Sequence, residues 1–348
     1  MSFHYAYKGF APDLTCRGFQ FEPNKTYVHE GEVKICESGF HSCKNPLDIF
    51  TYYPPANSVY RHVIATGETA EHHGDSKLVS SILTIGASLD IAKLIDTAIS
   101  FITDRCLSEN QISSITPNFV CCSSISQAFS SATGGGNSIS CTTGTSSSSY
   151  ATKEKSISCT SGSASASKSI GDRSISCATG SDSVSSAFGD RILSGITGYK
   201  SASNAHGYRV ISSATGDASA SSAIGLKSIS STTGDWSLST SAGEWSLSVA
   251  SGDISASRAS GNGSISMTIG NDSRASIDST LNDAIALGLG YSNKAKAPLG
   301  SAIVLAHRTF TGRLVHIRAS MVGENGIEPD VFYSLNENGE FVRENQGA

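Results

Sequence analysis

The sequence has no apolar run approaching the ~18 residues that a membrane span needs. Its start, MSFHYAYKGF, carries no basic stretch followed by an apolar one. A chain made in the cytoplasm, without a Sec signal or a membrane partner, is therefore expected. Charge is scarce too: 16% of residues are charged and the net charge is −5, so nothing in the balance demands a nucleic-acid partner. There is no G-x-S-x-G elbow, no Walker-type loop and no H-E-x-x-H pair. No enzyme class announces itself by these motifs, and no cofactor is expected. The nine cysteines are an odd count in a chain of 348 residues, too large to need a disulfide framework, so free thiols in a reducing compartment are the default.

What the sequence has in quantity is a period. From Gly135 to Ile269 fifteen consecutive nonapeptides follow the form G-x-x-S-x-S-x-A-T, with glycine at place one in all but the copy that begins at Lys153. Place six is serine in every copy, from Ser140 to Ser266. Fixed-period self-similarity of this length predicts a solenoid in which each unit buries itself against its neighbours. Each nonapeptide divides into a short alternating strand, S-x-S-x-A, and a turn around T-G-x-x where glycine tolerates positive φ. Place five shows where a coil closes. Ile139, Ile157, Ile175, Leu193, Ile211, Ile229, Leu247 and Ile265 are large and spaced by eighteen, and the copies between them are mostly small there. A mainly β, two-sided β-solenoid (a β-roll or β-helix) follows, with an 18-residue coil made of two unlike nonapeptides.

The orientation of those rows bears on function. Place seven includes Lys168, Asn204 and Arg258, which are costly to bury unpaired. Alternation then turns places four, six and eight inward as a thin Ser/Ser/Ala core and leaves the aliphatic row outside. Eight stacked aliphatics left bare imply a protein partner or self-association as a dimer or trimer. The opposite arrangement packs the aliphatics against small residues of the other face, inside the core. The residues alone leave both open.

Other rows admit two readings each. Thr143, Thr179, Thr197, Thr215 and Thr233, with Ser161 and Ser251, form a hydroxyl row that could order water as ice-binding solenoids do, or reflect the strand preference of threonine. Lys155, Arg173, Arg191, Arg209 and Lys227 recur at eighteen as a basic row, a track for a polyanion unless Glu154, Asp172 and Asp190 beside them neutralise it. Trp236 and Trp245 occupy matching turn places on opposite edges, as contact surfaces or as shields for the end of the stack. The turns lack the regular carboxylates of a calcium-binding β-roll. Cys141, Cys159 and Cys177 fall in one row, where in-register parallel side chains are poorly aimed for a disulfide.

The chain divides into a small α+β domain at residues 1–75, a linker with a capping helix (about 88–106) at 76–134, the solenoid at 135–290 and a β cap at 291–348. The helix rests on the spacing of Ile91, Leu94, Ile95, Ala98 and Ile102, and is read as a lid over the first coil. The cap rests on strand-like segments in SAIVLAHRTF, GRLVHIRASMV and DVFYSLNENGEF.

The phrases YKGF, CRGFQFEPNKTY, GFHSCKNPLDIFTYYPP and ALGLGYSNKAKAPLGSAIVLA resemble a family of uncharacterised proteins common in phage and prophage genomes. In that family a domain of unknown function precedes T-G-x-x-S-x-A repeats and a short β cap. The repeats resemble, more loosely, the β-roll heads of bacterial adhesins. The resemblance implies a non-catalytic binding or scaffold protein, acting against a host defence factor or as a virion accessory. A rival reading comes from Tyr7-Lys8-Gly9 and Gly39-Phe40-His41-Ser42, which resemble the strand motifs that hold NAD in ADP-ribosyltransferase-like folds. That resemblance implies catalytic roles for Tyr7 and His41 and a carboxylate on a third strand, for which Glu68 and Glu71 are the nearby residues. A third reading gives Cys36, His41 and Cys43, with Cys16 or His29 as the fourth ligand, to a zinc ion, against the simpler reading of ordinary buried thiols. His72 and His73 read as solvated loop residues.

Overall fold

The computed structural model of the chain describes residues 2–72, 75–106, 111–114, 120–133, 137–278 and 283–344. Gly135, which opens the first repeat, and His73 lie outside the described residues.

Each nonapeptide folds as one strand and one turn, as in Ile157–Ser161 followed by Ala166–Ile170. Alternate strands build two sheets of thirteen and twelve strands, parallel except at their C-terminal ends, where two strands of the first and one of the second are antiparallel. Ile157 stands beside Ile175 and Ser158 beside Ser176, eighteen residues on, so like residues stack in columns. The chain is a mainly β, two-sided solenoid, and the stack is longer than its glycine period. Gln111–Ser114, Val120–Ser123 and Phe129–Ala132 already lie in its first coils, and Ala302–Arg308 is still parallel to Ile285–Gly288.

Places four, six and eight point inward, as alternation predicts from the charged residues at place seven. The invariant serine of place six then has a clear cause. From Ser149 to Ser266 the hydroxyls form one continuous chain that crosses from sheet to sheet at every step, at 2.9–3.0 Å. A buried hydroxyl without a partner costs about 1–3 kcal/mol. Here each hydroxyl is satisfied by the next, and aligned hydroxyl dipoles strengthen one another. A side chain without a hydroxyl would open the chain and strand its neighbours.

Place eight tests the same rule from the other side. Thr142, Thr160, Ser169, Thr232 and Ser241 bring hydroxyls there that are buried without a partner, whereas most copies carry alanine. Ser169 stands in register with Ala151 and Ala187. Replacing Ser169→Ala is expected to raise stability by about 1 kcal/mol, read as a higher thermal midpoint. A fall would show that the hydroxyl is satisfied in solution.

The glycines of place one hold φ between +124° and +156° wherever it is positive. A Cβ there would also strike the backbone of the coil below, as at Gly180, 2.5 Å from the carbonyl oxygen of Gly162. Place two adds a second tie between coils. The carboxylates of Asp217 and Asp235 accept the backbone N–H of Asp235 and Asp253, at 2.9 and 2.8 Å.

The N-terminal domain is a small α+β unit. Ser2–Phe10 pairs with Val59–Glu71 on one side and touches Phe40–Cys43 on the other. Lys77–Leu89 pairs with both Val59–Glu71 and Phe40–Cys43, so the four strands close on themselves. This sheet runs past residue 75, where the composition changes. A boundary at 75 would cut the hairpin between its two longest strands.

The helix forms at Ile91–Thr103, with the Asp90 carboxylate accepting the Lys93 N–H at its start. It covers a flank of the rod instead of its first coil. Leu94, Ile95, Ala98 and Ile102 pack with Ala166, Val184, Ala202, Ala220 and Leu238 on the outside of the thirteen-stranded sheet. The small residues at place five of alternate copies make room for this helix. Leu47, Phe50 and Tyr60 of the N-terminal domain join the same cluster, so that domain is seated on the rod's flank. At the other end Tyr333–Leu335 and Phe341–Arg343 form a hairpin, and Tyr333 and Leu335 pack on Ile303 and Leu305 as a β cap.

Candidate functional site

Two surfaces offer chemistry: a pocket in the N-terminal domain and the open face of the twelve-stranded sheet. The pocket is about 490 Å³ and is walled by Tyr7, Phe19, Phe40, Tyr52 and Tyr53, a size and lining usual for small-molecule sites. Gly9 shapes one wall, because a Cβ there would lie 2.4 Å from the Cβ of Tyr53. Lys8, Arg17 and Lys77 bring positive charge to it and Glu37 one carboxylate.

Most of the reactive groups are already engaged. Lys8 is buried, which lowers the pKa of its ammonium, and it donates to the His41 carbonyl at 2.8 Å. His41 Nε2 accepts the Cys36 backbone N–H at 2.9 Å, which puts the ring proton on Nδ1. Tyr53 donates to Cys16 Sγ at 2.8 Å, and Lys77 donates to Cys36 Sγ at 3.4 Å while lying over the Tyr52 ring. Burial pushes the Cys43 thiol up to about 12, so it is protonated at neutral pH. The Ser42 hydroxyl is the exception, buried against the cavity without a partner.

Tyr7, His41, Cys36 and Cys43 thus come together at one cavity. Glu68 does not line it; its backbone N–H donates to the Ser81 hydroxyl on the neighbouring strand. Glu71 pairs with Lys44. Cys36, His41 and Cys43 do not converge as metal ligands, and among the described residues no three His, Cys, Asp or Glu side chains do. Tyr53 and Lys77 are pocket residues that no sequence motif singled out; the fold brings them to the cavity.

Burial and then the nearby Lys8 lower the His41 pKa from 6.5 to about 4. Between those values the unfolded chain binds more protons than the folded one, so this contribution to stability is full above pH 6.5 and is lost as pH falls toward 4. The thermal midpoint of the wild type is expected to drop more steeply across that window than that of His41→Gln, which cannot titrate. Equal slopes would exclude His41 as the source.

The solenoid presents its rows as follows. Leu193, Ile211, Ile229 and Ile265 are exposed, and Ile139, Ile157, Ile175 and Leu247 are half-buried, all on the outer face of the twelve-stranded sheet. The hydroxyl row, Thr143 to Ser251, is a single column on the same face. Lys155, Arg173, Arg191, Arg209 and Lys227 line one edge, all at φ near +57°. Arg173 lies 3.9 Å from Glu154, while Asp172 and Asp190 accept backbone N–H groups of the next coil. Trp245 continues that basic column, with its indole beside Gly263, and Trp236 stands on the opposite edge.

Residues 4–97 match a family described as a domain of unknown function (DUF7666). The match takes in the closed strands, the pocket and half of the helix, so the chain is a DUF7666 domain followed by a β-solenoid. No curated protein and no solved structure matches it.

Proposed function

We propose that the chain is a non-catalytic binding and scaffold protein, which pairs with a second copy through the open face of its solenoid and carries the DUF7666 pocket as a recognition module. One observation carries this reading. Across the nine strands from Ile139–Thr143 to Ile285–Gly288, places five, seven and nine of the open face hold no charged side chain among the described residues. The other sheet is covered by the helix and the N-terminal domain. Nine strands about 4.8 Å apart and five residues of about 3.3 Å make roughly 700 Å² per copy. A pair would bury about 1,400 Å², within the range of stable interfaces.

The engaged groups of the pocket support binding over catalysis, since the ADP-ribosyltransferase-like reading needs a carboxylate that neither Glu68 nor Glu71 supplies there. A cytoplasmic setting in phage infection, as a virion accessory or against a host defence factor, belongs to the same proposal. It is supported by the resemblance of the flanking phrases. The test is the solution mass of the wild type beside an Ile211→Asp, Ile265→Asp chain.

A further inference from the structure

The open face carries a feature that pairing of copies does not require. Cys122, Cys141, Cys159 and Cys177 are successive members of one column, each in register with the next. All four are free thiols on the outer face, Cys122 exposed and the others half-buried. The column stops at Gly195, so space opens beside Cys177. Its flanks are the aliphatic column, Ile139 to Ile175, and the hydroxyl column, Thr143 to Thr179, with no carboxylate or imidazole between them.

Parallel, in-register strands hold these sulfurs apart in a fixed way. Neighbouring strands are about 4.8 Å apart, farther than the ~3.8 Å between Cβ atoms that a disulfide requires. The same spacing suits an ion midway between two sulfurs, since metal–sulfur bonds of about 2.3 Å need them about 4.6 Å apart. Four sulfurs in a line cannot surround one ion, which excludes the tetrahedral site that zinc prefers. Two-coordinate binding by thiolate is the habit of soft, filled-shell cations.

We propose that the column of Cys122, Cys141, Cys159 and Cys177 binds a soft monovalent cation, Cu(I) or its surrogate Ag(I), held linearly between the sulfurs of neighbouring strands. The Cys122–Cys141 and Cys159–Cys177 pairs each take one ion. Two thiols and one M⁺ give an RS–M–SR anion and release two protons; the ion enters already monovalent and no electron moves.

The experiment titrates the reduced full chain, without oxygen, with Cu(I) held by bicinchoninate. Two equivalents are expected in the wild type and in Cys106→Ser, and none in Cys141→Ser, Cys177→Ser. The double variant should fold, because Ser213 and Ser231 occupy the same column naturally, and circular dichroism checks this. X-ray absorption should show two sulfurs per copper, and an equal concentration of Zn(II) should not compete. Equal uptake by the double-serine chain, three or more ligands per copper, or displacement by zinc would each overturn the site. The titration is repeated on Ile211→Asp, Ile265→Asp. Uptake only there supports the site and places it beneath a second copy; uptake in neither chain overturns it.

Discussion

The wild-type chain should scatter light as a dimer, at twice its 36.1 kDa, and the Ile211→Asp, Ile265→Asp chain should be a folded monomer. Both residues are exposed in the single chain, at 43% and 38%, so aspartate meets water there and the coils stay intact. In a pair they would be covered. Each buried isoleucine contributes about 1.5 kcal/mol or more by leaving water, and twofold symmetry repeats both substitutions in the partner. Losing four such contacts weakens pairing by about 6 kcal/mol, on the order of 10,000-fold in Kd. A wild type that stays monomeric at high concentration would remove self-association from the proposed function. A variant that unfolds would mean that the aliphatic column holds coils together. The far-UV circular dichroism of the rod's β-strands separates that outcome from simple dissociation.

The column also shows where sequence reasoning reaches its limit. The period of nine, its pairing into eighteen and the inward serines were legible, because each coil repeats the same environment and so repeats the same residue. The direction of Ile139 to Ile265 was not. Large aliphatics at place five fit a core as well as an interface, and only the charged residues at place seven argued for the outside. The small partners Ala166, Ala202 and Ala220 carried the other half of the answer. They mark a groove for Ile91–Thr103, but the nonapeptide alone does not say what fills it. An end cap and a flank cover demand the same amphipathic helix.

The N-terminal domain was read less completely for a different reason. Its core joins Ala6 and Phe10 to Leu78 and Leu83 across most of the domain, and pairings of that reach leave no local period. Composition changes near residue 75, yet the sheet continues to Leu89. The motif residues Tyr7, Lys8 and His41 were found from a resemblance and Cys16 as a candidate metal ligand, whereas Tyr53 and Lys77 became pocket residues only through the fold. Cys122 was missed because it lies 19 residues before Cys141, one step off the period of eighteen.

The second large effect follows from the turns. Gly225→Ala is expected to destabilise the rod by about 3 kcal/mol or more, whereas Gly312→Ala should cost about 1–2 kcal/mol. Both glycines have positive φ, +137° and +85°. They differ in what a side chain would meet. A Cβ on Gly225 would lie 1.7 Å from the carbonyl oxygen of Gly207, backbone against backbone, while one on Gly312 would meet nothing within 4 Å. Relief at Gly225 requires neighbouring coils to separate, which also loosens the bond from its N–H to the Ala242 carbonyl, 2.7 Å long. In a stack stabilised by nearest neighbours, such a break in the middle leaves two shorter stacks, each with a new open end. Thermal midpoints give the ranking, and hydrogen exchange should show lost protection centred on residues 207–242. Similar losses from the two substitutions would mean that φ alone sets the need for glycine. The stacking of turn on turn would then not be what keeps place one free of side chains.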